Sequence, residues 1–200
     1  MSADPANQEK LPWCRIGQLY NQTSLGNDLG LDHKTVARWF SILETSFIAF
    51  TLRPYFRNFN KRILKTPKLY FYDTGVACSL LGIRNLEQLD RHPMKGPLSE
   101  NFVIVEILKN FLNRGIRPNQ YFWRDQTGNE IDLLVDEGGV IYTIEIKSAQ
   151  TYKPDFFKGL NYFNTLSGND PKHAYLIYGG TQNFDGATGN VRSWDNLPEL

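Results

Sequence analysis

Asn129-Glu130-Ile131-Asp132-Leu133-Leu134-Val135 and Val140-Ile141-Tyr142-Thr143-Ile144-Glu145-Ile146-Lys147 are two strand-like runs separated by Asp136-Glu137-Gly138-Gly139. The glycines supply the positive-φ positions a tight hairpin needs. If Gly138 and Gly139 form a two-residue loop, Glu137 faces Val140, and the same register carries Asp132 opposite Glu145. Alternation then puts Glu145 and Lys147 on one face of the second strand, with Tyr142, Ile144 and Ile146 on the other. Ile131, Leu133 and Val135 are expected as the apolar partners across the ladder. Carboxylates directly opposite each other repel. A cation between them removes that cost, and a divalent metal is the natural candidate.

Working outward, Tyr121 to Arg124 reads as a further strand, turned into the Asp132 strand by Gln126-Thr127-Gly128. A helix is expected from about Leu98 to Asn113, and another from about Pro154 to Leu166 with Phe156, Leu160 and Phe163 on one face. His173 to Tyr178 makes a last strand, and residues 180–200 read as mostly irregular. The order α-β-β-β-α-β predicts a mixed sheet layered with helices, an α/β (α+β) fold.

Upstream, residues 13–82 have the pattern of a winged helix-turn-helix. Ser24 to Leu29 forms a short helix closed at Gly30, and Asp32 caps a longer one to about Thr45. Its apolar stripe is Val36, Phe40, Leu43 and Phe47, which leaves Lys34 and Arg38 outside. Phe47 to Leu52 and Lys68 to Tyr72 would make the wing. No acidic residue lies between Thr45 and Tyr72. There Arg53, Arg57, Lys61, Arg62, Lys65 and Lys68 alternate with Tyr55, Phe56 and Phe59, a pairing of phosphate-neutralising charge with base-stacking rings. Asp73 caps a helix to Leu81, and residues 83–96 read as a linker before a domain over 97–200.

Composition narrows the field. Residues 1–96 carry 13 Lys/Arg against 8 Asp/Glu, and residues 97–200 carry 9 against 13, so two modules with different surfaces are expected. Two cysteines without a CxxC and three scattered histidines argue against a disulfide framework and a zinc site. A reducing cytoplasm fits that usage. No apolar run is long enough for a membrane span, and the polar N-terminus does not read as a signal peptide. No G-x-x-x-x-G-K-[ST] occurs, so no ATP site is expected in this chain.

The element order with D…E-x-K on adjacent strands resembles the restriction-endonuclease-like, PD-(D/E)xK nuclease superfamily. Gly96-Pro97-Leu98-Ser99-Glu100-Asn101-Phe102, Tyr121-Phe122-Trp123-Arg124-Asp125, Glu145-Ile146-Lys147-Ser148 and Lys68-Leu69-Tyr70-Phe71-Tyr72-Asp73-Thr74-Gly75 are similar to an uncharacterised prokaryotic domain family. That family sits C-terminal to AAA-type ATPase modules and a winged helix. The resemblance implies a Mg²⁺ (or Mn²⁺)-dependent, DNA-processing endonuclease. Asp132, Glu145 and the Ile146 carbonyl would be its ligands, and Lys147 would act on the water or the phosphate. It also implies a further acid from the first helix. Glu100 shares the stripe of Val103, Ile104 and Ile107, whereas Glu106 aligns with Lys109 and Asn110, so Glu100 is preferred. Ile131 stands where the superfamily has Pro. DNA and an ATPase module are the implied partners, and homo-oligomerisation stays open. The rival reading is a catalytically inactive nucleic-acid-binding or protein-interaction module of such an ATPase. On it, Lys147 is merely a cross-strand partner of Glu130, and the acids lie on a solvated face.

Overall fold

A computed structural model describes residues 12–56 and 64–200. Arg57, Lys61 and Arg62 of the basic run lie outside the described residues. The described chain holds six α-helices and eight strands paired in both senses, a mixed α/β architecture. It divides into two compact units, one from residues 12–52 and 66–101, the other from 53–56, 64–65 and 102–200.

In the first unit, α1 (Gln22–Leu29) and α2 (His33–Thr45) follow one another around a tight turn. Asn21 caps α1 by accepting from Thr23 and Ser24 N–H, and Gly30 closes it at φ 67. The Asp32 carboxylate accepts from the N–H groups of Lys34 and Thr35 and so starts α2, a contact worth about 1 kcal/mol. Val36 and Phe40 are buried with Tyr20, Leu25, Ala49 and Leu69, and Leu43 packs beside them. Phe47 does not extend that stripe. The helix ends at Thr45, Phe47 adopts φ 54, and the residue is 74% exposed. The first four residues of β1 (Ala49–Pro54) pair antiparallel with β2 (Lys68–Phe71), from Ala49↔Phe71 to Leu52↔Lys68.

Asp73 then caps α3 (Thr74–Leu80) by accepting from Val76 N–H. Within 83–96 the chain forms another helix, α4 (Leu86–Arg91), capped by Asn85. The long helix α5 (Lys95–Asn113) starts earlier than expected and takes in Pro97. Proline is tolerated there because the first turn of a helix has no intrahelical acceptor for its N–H.

The second unit is a mixed sheet with the strand order β3 (Gln120–Arg124), β4 (Glu130–Glu137), β5 (Val140–Lys147), β6 (Ala174–Tyr178), β8 (Gly189–Ser193), β7 (Phe184–Gly186). Arg53 and Pro54, at the end of β1, pair parallel with Tyr121 and Phe122 of β3. β3, β4 and β5 form an antiparallel meander, and β5, β6 and β8 run parallel. The β7–β8 hairpin corrects the expectation of an irregular C-terminal segment. Its Gly186, Gly189 and Asn190 break the hydrophobic alternation by which a strand is recognised, yet Val191 is buried against the sheet.

Helix α6 (Lys158–Ser167), entered through a 3₁₀ turn at Pro154–Phe157, covers one face of this sheet. Phe157, Leu160 and Phe163 pack with Trp123, Ile131, Leu134, Leu176 and Val191. Fully burying each such side chain stabilises the fold by about 1.5–3 kcal/mol. Trp123 is wholly buried, its ring edge-on to Phe163 at 5.2 Å, so it belongs to the core.

Candidate metal centre

The β4–β5 hairpin has the expected register. Pairing runs from Glu137↔Val140 to Leu133↔Ile144, and Gly138 and Gly139 take φ 61 and 92 in the turn. One step beyond Leu133 the ladder changes character. Asp132 Oδ2 accepts the Ile146 main-chain N–H at 2.8 Å. On its other side, β4 carries one residue more than β3: Tyr121 pairs with Leu134 but Trp123 pairs with Ile131. That bulge spans Asp132. It also returns Ile131 to the α6 face beside Leu134, where simple alternation would have grouped it with Leu133 and Val135.

Glu145 is the electrostatic centre of the site. Its side chain is 12% exposed, and Oε1 accepts from Lys147 Nζ in a short ion pair. Oε2 is buried with no hydrogen-bond donor among the described residues. Burial first, then the negative charge of Asp132, raises the carboxyl from 4.5 to about 8; Lys147 pulls the other way without prevailing. Helix α6 closes the site from above. A Cβ on Gly159 would lie 2.9 Å from the Glu130 carbonyl and 3.4 Å from Glu145 Oε2, so only glycine permits this approach.

The flanking charges are otherwise matched. Arg124 Nε lies 3.3 Å from Glu130 Oε2, and Lys147 is directed to Glu145. The turn before β4 is fixed by Asp125, whose buried carboxylate accepts from the N–H and hydroxyl of Thr127, the N–H and Nδ2 of Asn129, and the Tyr162 hydroxyl. Burial pushes the Asp125 carboxyl up, but these donors outweigh it and hold it below the usual carboxylate range. This clamp went unread in the sequence, although Asp-x-Thr-x-Asn across a Gly turn is a side-chain-capped turn in pattern.

Glu100, the expected further acid, belongs to the first unit. Its Oε1 accepts from Lys68 Nζ at 2.9 Å and from the Tyr70 hydroxyl in a short bond. Lys68 is 3% exposed, which removes it from the solvent-facing basic run. Glu106 is half-buried and accepts from its i+3 partner Lys109 at 2.7 Å, as the helical spacing requires. Lys34, Arg38, Arg53 and Lys65 are all exposed, as phosphate contacts would need to be. α2 also exposes Trp39 and Ile42, each at 54%.

The donor set can be tested against a divalent ion. Among the described residues no three His, Cys, Asp or Glu side chains gather into a metal cluster. A magnesium ion keeps several waters and takes only one or two protein carboxylates, so an Asp–Glu pair is sufficient. The buried Glu145 Oε2, lacking a donor beside a second carboxylate, is the atom such an ion would satisfy.

Residues 95–196 match a domain of unknown function, DUF4143, and residues 13–87 match another, DUF8612. The chain is 33% identical over 152 residues to the uncharacterized protein Rv2008c of Mycobacterium tuberculosis and, equally, to the uncharacterized protein Mb2031c of Mycobacterium bovis. These matches cover 74% of this chain and 33% of each relative, so the chain spans about a third of their length. No solved structure matches the chain. No helix among the described residues is long and apolar enough to cross a membrane.

Proposed function

Because the chain belongs to the DUF4143 family, which is often found with AAA ATPases, we propose that it is the nucleic-acid-processing region of such an ATPase-family protein. Its second unit is a restriction-endonuclease-like domain that cleaves DNA with Mg²⁺ or Mn²⁺. Its first unit is a winged helix that holds the DNA through Lys34 and Arg38, and the basic run of Arg53, Arg57, Lys61, Arg62 and Lys65 supplies further phosphate contacts. The observation that carries this reading is the buried Glu145 carboxylate oxygen without a donor, beside Asp132, with Lys147 two residues on.

Asp132, Glu145 and the Ile146 carbonyl would hold the ion, whose chemistry is to acidify a bound water and neutralise charge on the phosphate. Asp132 keeps its position by accepting the Ile146 N–H, which ties the strand carrying one ligand to the strand carrying the other. Lys147, whose ammonium donates to Glu145 Oε1, would stabilise the charge that builds on the phosphate. Gly159 lets α6 exclude water from Glu145.

The absence of a three-carboxylate cluster among the described residues favours a second reading, an inactive nucleic-acid-binding module. Plasmid and single-strand cleavage with Mg²⁺ or Mn²⁺ separates the two. Cleavage by the wild type that is lost in Glu145→Ala/Lys147→Ala supports the nuclease. DNA binding without cleavage in both proteins transfers the assignment to the binding module.

A further inference from the structure

β5, β6 and β8 run parallel, and the crevice beyond their carboxyl ends is where open α/β sheets bind ligands. Here the loops leaving β5 and β6 enclose a cleft of about 500 Å³ whose walls include Gln150, Tyr152, Tyr178, Gly180 and Gln182. The cleft is built rather than incidental. Gly179 N–H reaches the Lys147 and Ala149 carbonyls, both at 3.0 Å, and welds the two loops together. Ser193 Oγ donates to the Gly180 carbonyl at 2.6 Å, and Gln182 N–H donates to the Tyr178 hydroxyl at 2.8 Å. A Cβ at Gly180 would fall 2.3 Å from the Tyr178 ring and 2.4 Å from the Gln150 carbonyl, so the wall is in close contact throughout. The Tyr152 ring is propped edge-on by Phe184 at 5.4 Å and Phe157 at 6.5 Å.

The lining chemistry selects the ligand. Among the described residues no charged side chain lines the cleft, so it offers a phosphate little. The Gln150 and Gln182 carboxamides, both on exposed loop positions, present paired donors and acceptors, and Tyr152 presents a braced aromatic ring. A carboxamide is the side chain that pairs with the N6/N7 edge of adenine, and an aromatic ring is the surface on which an unstacked base rests. Gln150 is three residues past Lys147, a reach of at most about 11 Å. The geometry points to a nucleobase pocket that takes one unpaired purine, adenine by preference, from the strand whose phosphate meets Asp132, Glu145 and Lys147. This rests on the proposed function, deepening it to a substrate with at least one base out of the stack.

The test uses Glu145→Gln protein, which keeps the strand on without cutting it. Affinities are measured for a single-stranded oligonucleotide with adenine or an abasic site at each position in turn. One position should be roughly tenfold weaker when abasic. That penalty should shrink below about twofold when Gln150, Tyr152 and Gln182 are changed to Ala. A penalty that survives the triple change, or no sensitive position in a protein that binds DNA, overturns the pocket and leaves the nuclease untouched. If the protein binds no DNA, the proposed function fails, and deoxyadenosine monophosphate decides the pocket by NMR. Shifts at the Gln150 and Gln182 side-chain amides support it, and unmoved amides overturn it.

Discussion

Asp132 Oδ2 holds the main-chain N–H of Ile146 at 2.8 Å, a side chain standing where a strand carbonyl would otherwise close the ladder. One of the two acids is thereby committed to the neighbouring strand, and the repulsion falls on the other. Glu145, buried and next to that charge, is held above the usual carboxylate range. Strand geometry and electrostatics are therefore coupled at one residue.

The first consequence is a pH dependence. Glu145 rises from 4.5 in the unfolded chain to about 8 when folded, so between those values the native state binds the extra proton. Stability without metal is fully present below the unfolded value and is lost as pH rises through about 8, by an amount on the order of a few kcal/mol. Urea unfolding in EDTA at pH 5.5 and 8.5 should show this fall, and Glu145→Gln should remove most of it. An equal slope in the variant would mean that another group titrates.

Asp132 has two roles that two substitutions separate. Asp132→Asn keeps an acceptor for Ile146 N–H and removes the charge, so metal-free stability above pH 8 should rise. Asp132→Ala also strands that N–H and should be about 1–2 kcal/mol less stable than the Asn variant. Both should lose the thermal stabilisation by Mg²⁺ or Mn²⁺. Metal stabilisation that persists in both would end the case for a metal at this site.

Gly159→Ala places a methyl against the Glu130 carbonyl and Glu145 Oε2. Helix α6 must back away, at a cost of about 1–3 kcal/mol in denaturant unfolding. Retreat of the helix readmits water to Glu145, so the pH slope described above should flatten together with the stability. A stable variant with an unaltered slope would show that α6 does not govern the burial of Glu145.

Asp125 should prove structural. Asp125→Ala leaves the Thr127 and Asn129 donors without their carboxylate and should cost about 2–4 kcal/mol. Because its folded carboxyl lies below the ordinary value, the stability it contributes is present above that value and lost as pH falls through the folded one. Acid unfolding monitored by circular dichroism should show the Ala variant losing less on acidification than the wild type.

Lys68 and Glu100 form a partly buried pair, and removing one member leaves the other uncompensated. Lys68→Ala should cost about 3–5 kcal/mol, and Lys68→Met/Glu100→Leu much less than the sum of the single changes. Glu100→Gln also leaves the Lys68 ammonium without its anion and should cost a similar amount; if cleavage depends on Glu100, it is abolished there while the comparably destabilised Lys68→Ala still cuts. Proportionate loss of both would reduce Glu100 to a structural role.

The hairpin, its two-glycine turn and its register were legible because they depend on neighbours in sequence: alternation sets the face, and the loop length sets the pairing. The cap at Asp73 and the α1–α2 junction at Gly30 and Asp32 are local in the same sense, whereas the Asn21 cap, which starts α1 two residues before the expected Ser24, is not among the expected features. Of the expected stripe, Leu160 and Phe163 are buried on α6, whereas Phe156 falls in the preceding 3₁₀ turn and is only partly buried, its neighbour Phe157 taking the core position. Phe47 was misplaced because a helix stop is decided by one residue's φ, which the periodicity does not carry.

By itself, then, the sequence determined which residues share a hairpin and that Asp132, Glu145 and Lys147 gather at one end of it. Only the tertiary structure decided what those residues are. The bulge of β4 turned Asp132 to Ile146, and α6 descending on Gly159 took Glu145 out of water. The antiparallel pairing of β2 beside α5 turned Lys68 from a surface cation into the buried partner of Glu100. The reason is physical: charge and hydrogen-bonding capacity belong to a residue, but the cost of ionising it belongs to whatever packs around it, and that is supplied by segments far away in the chain.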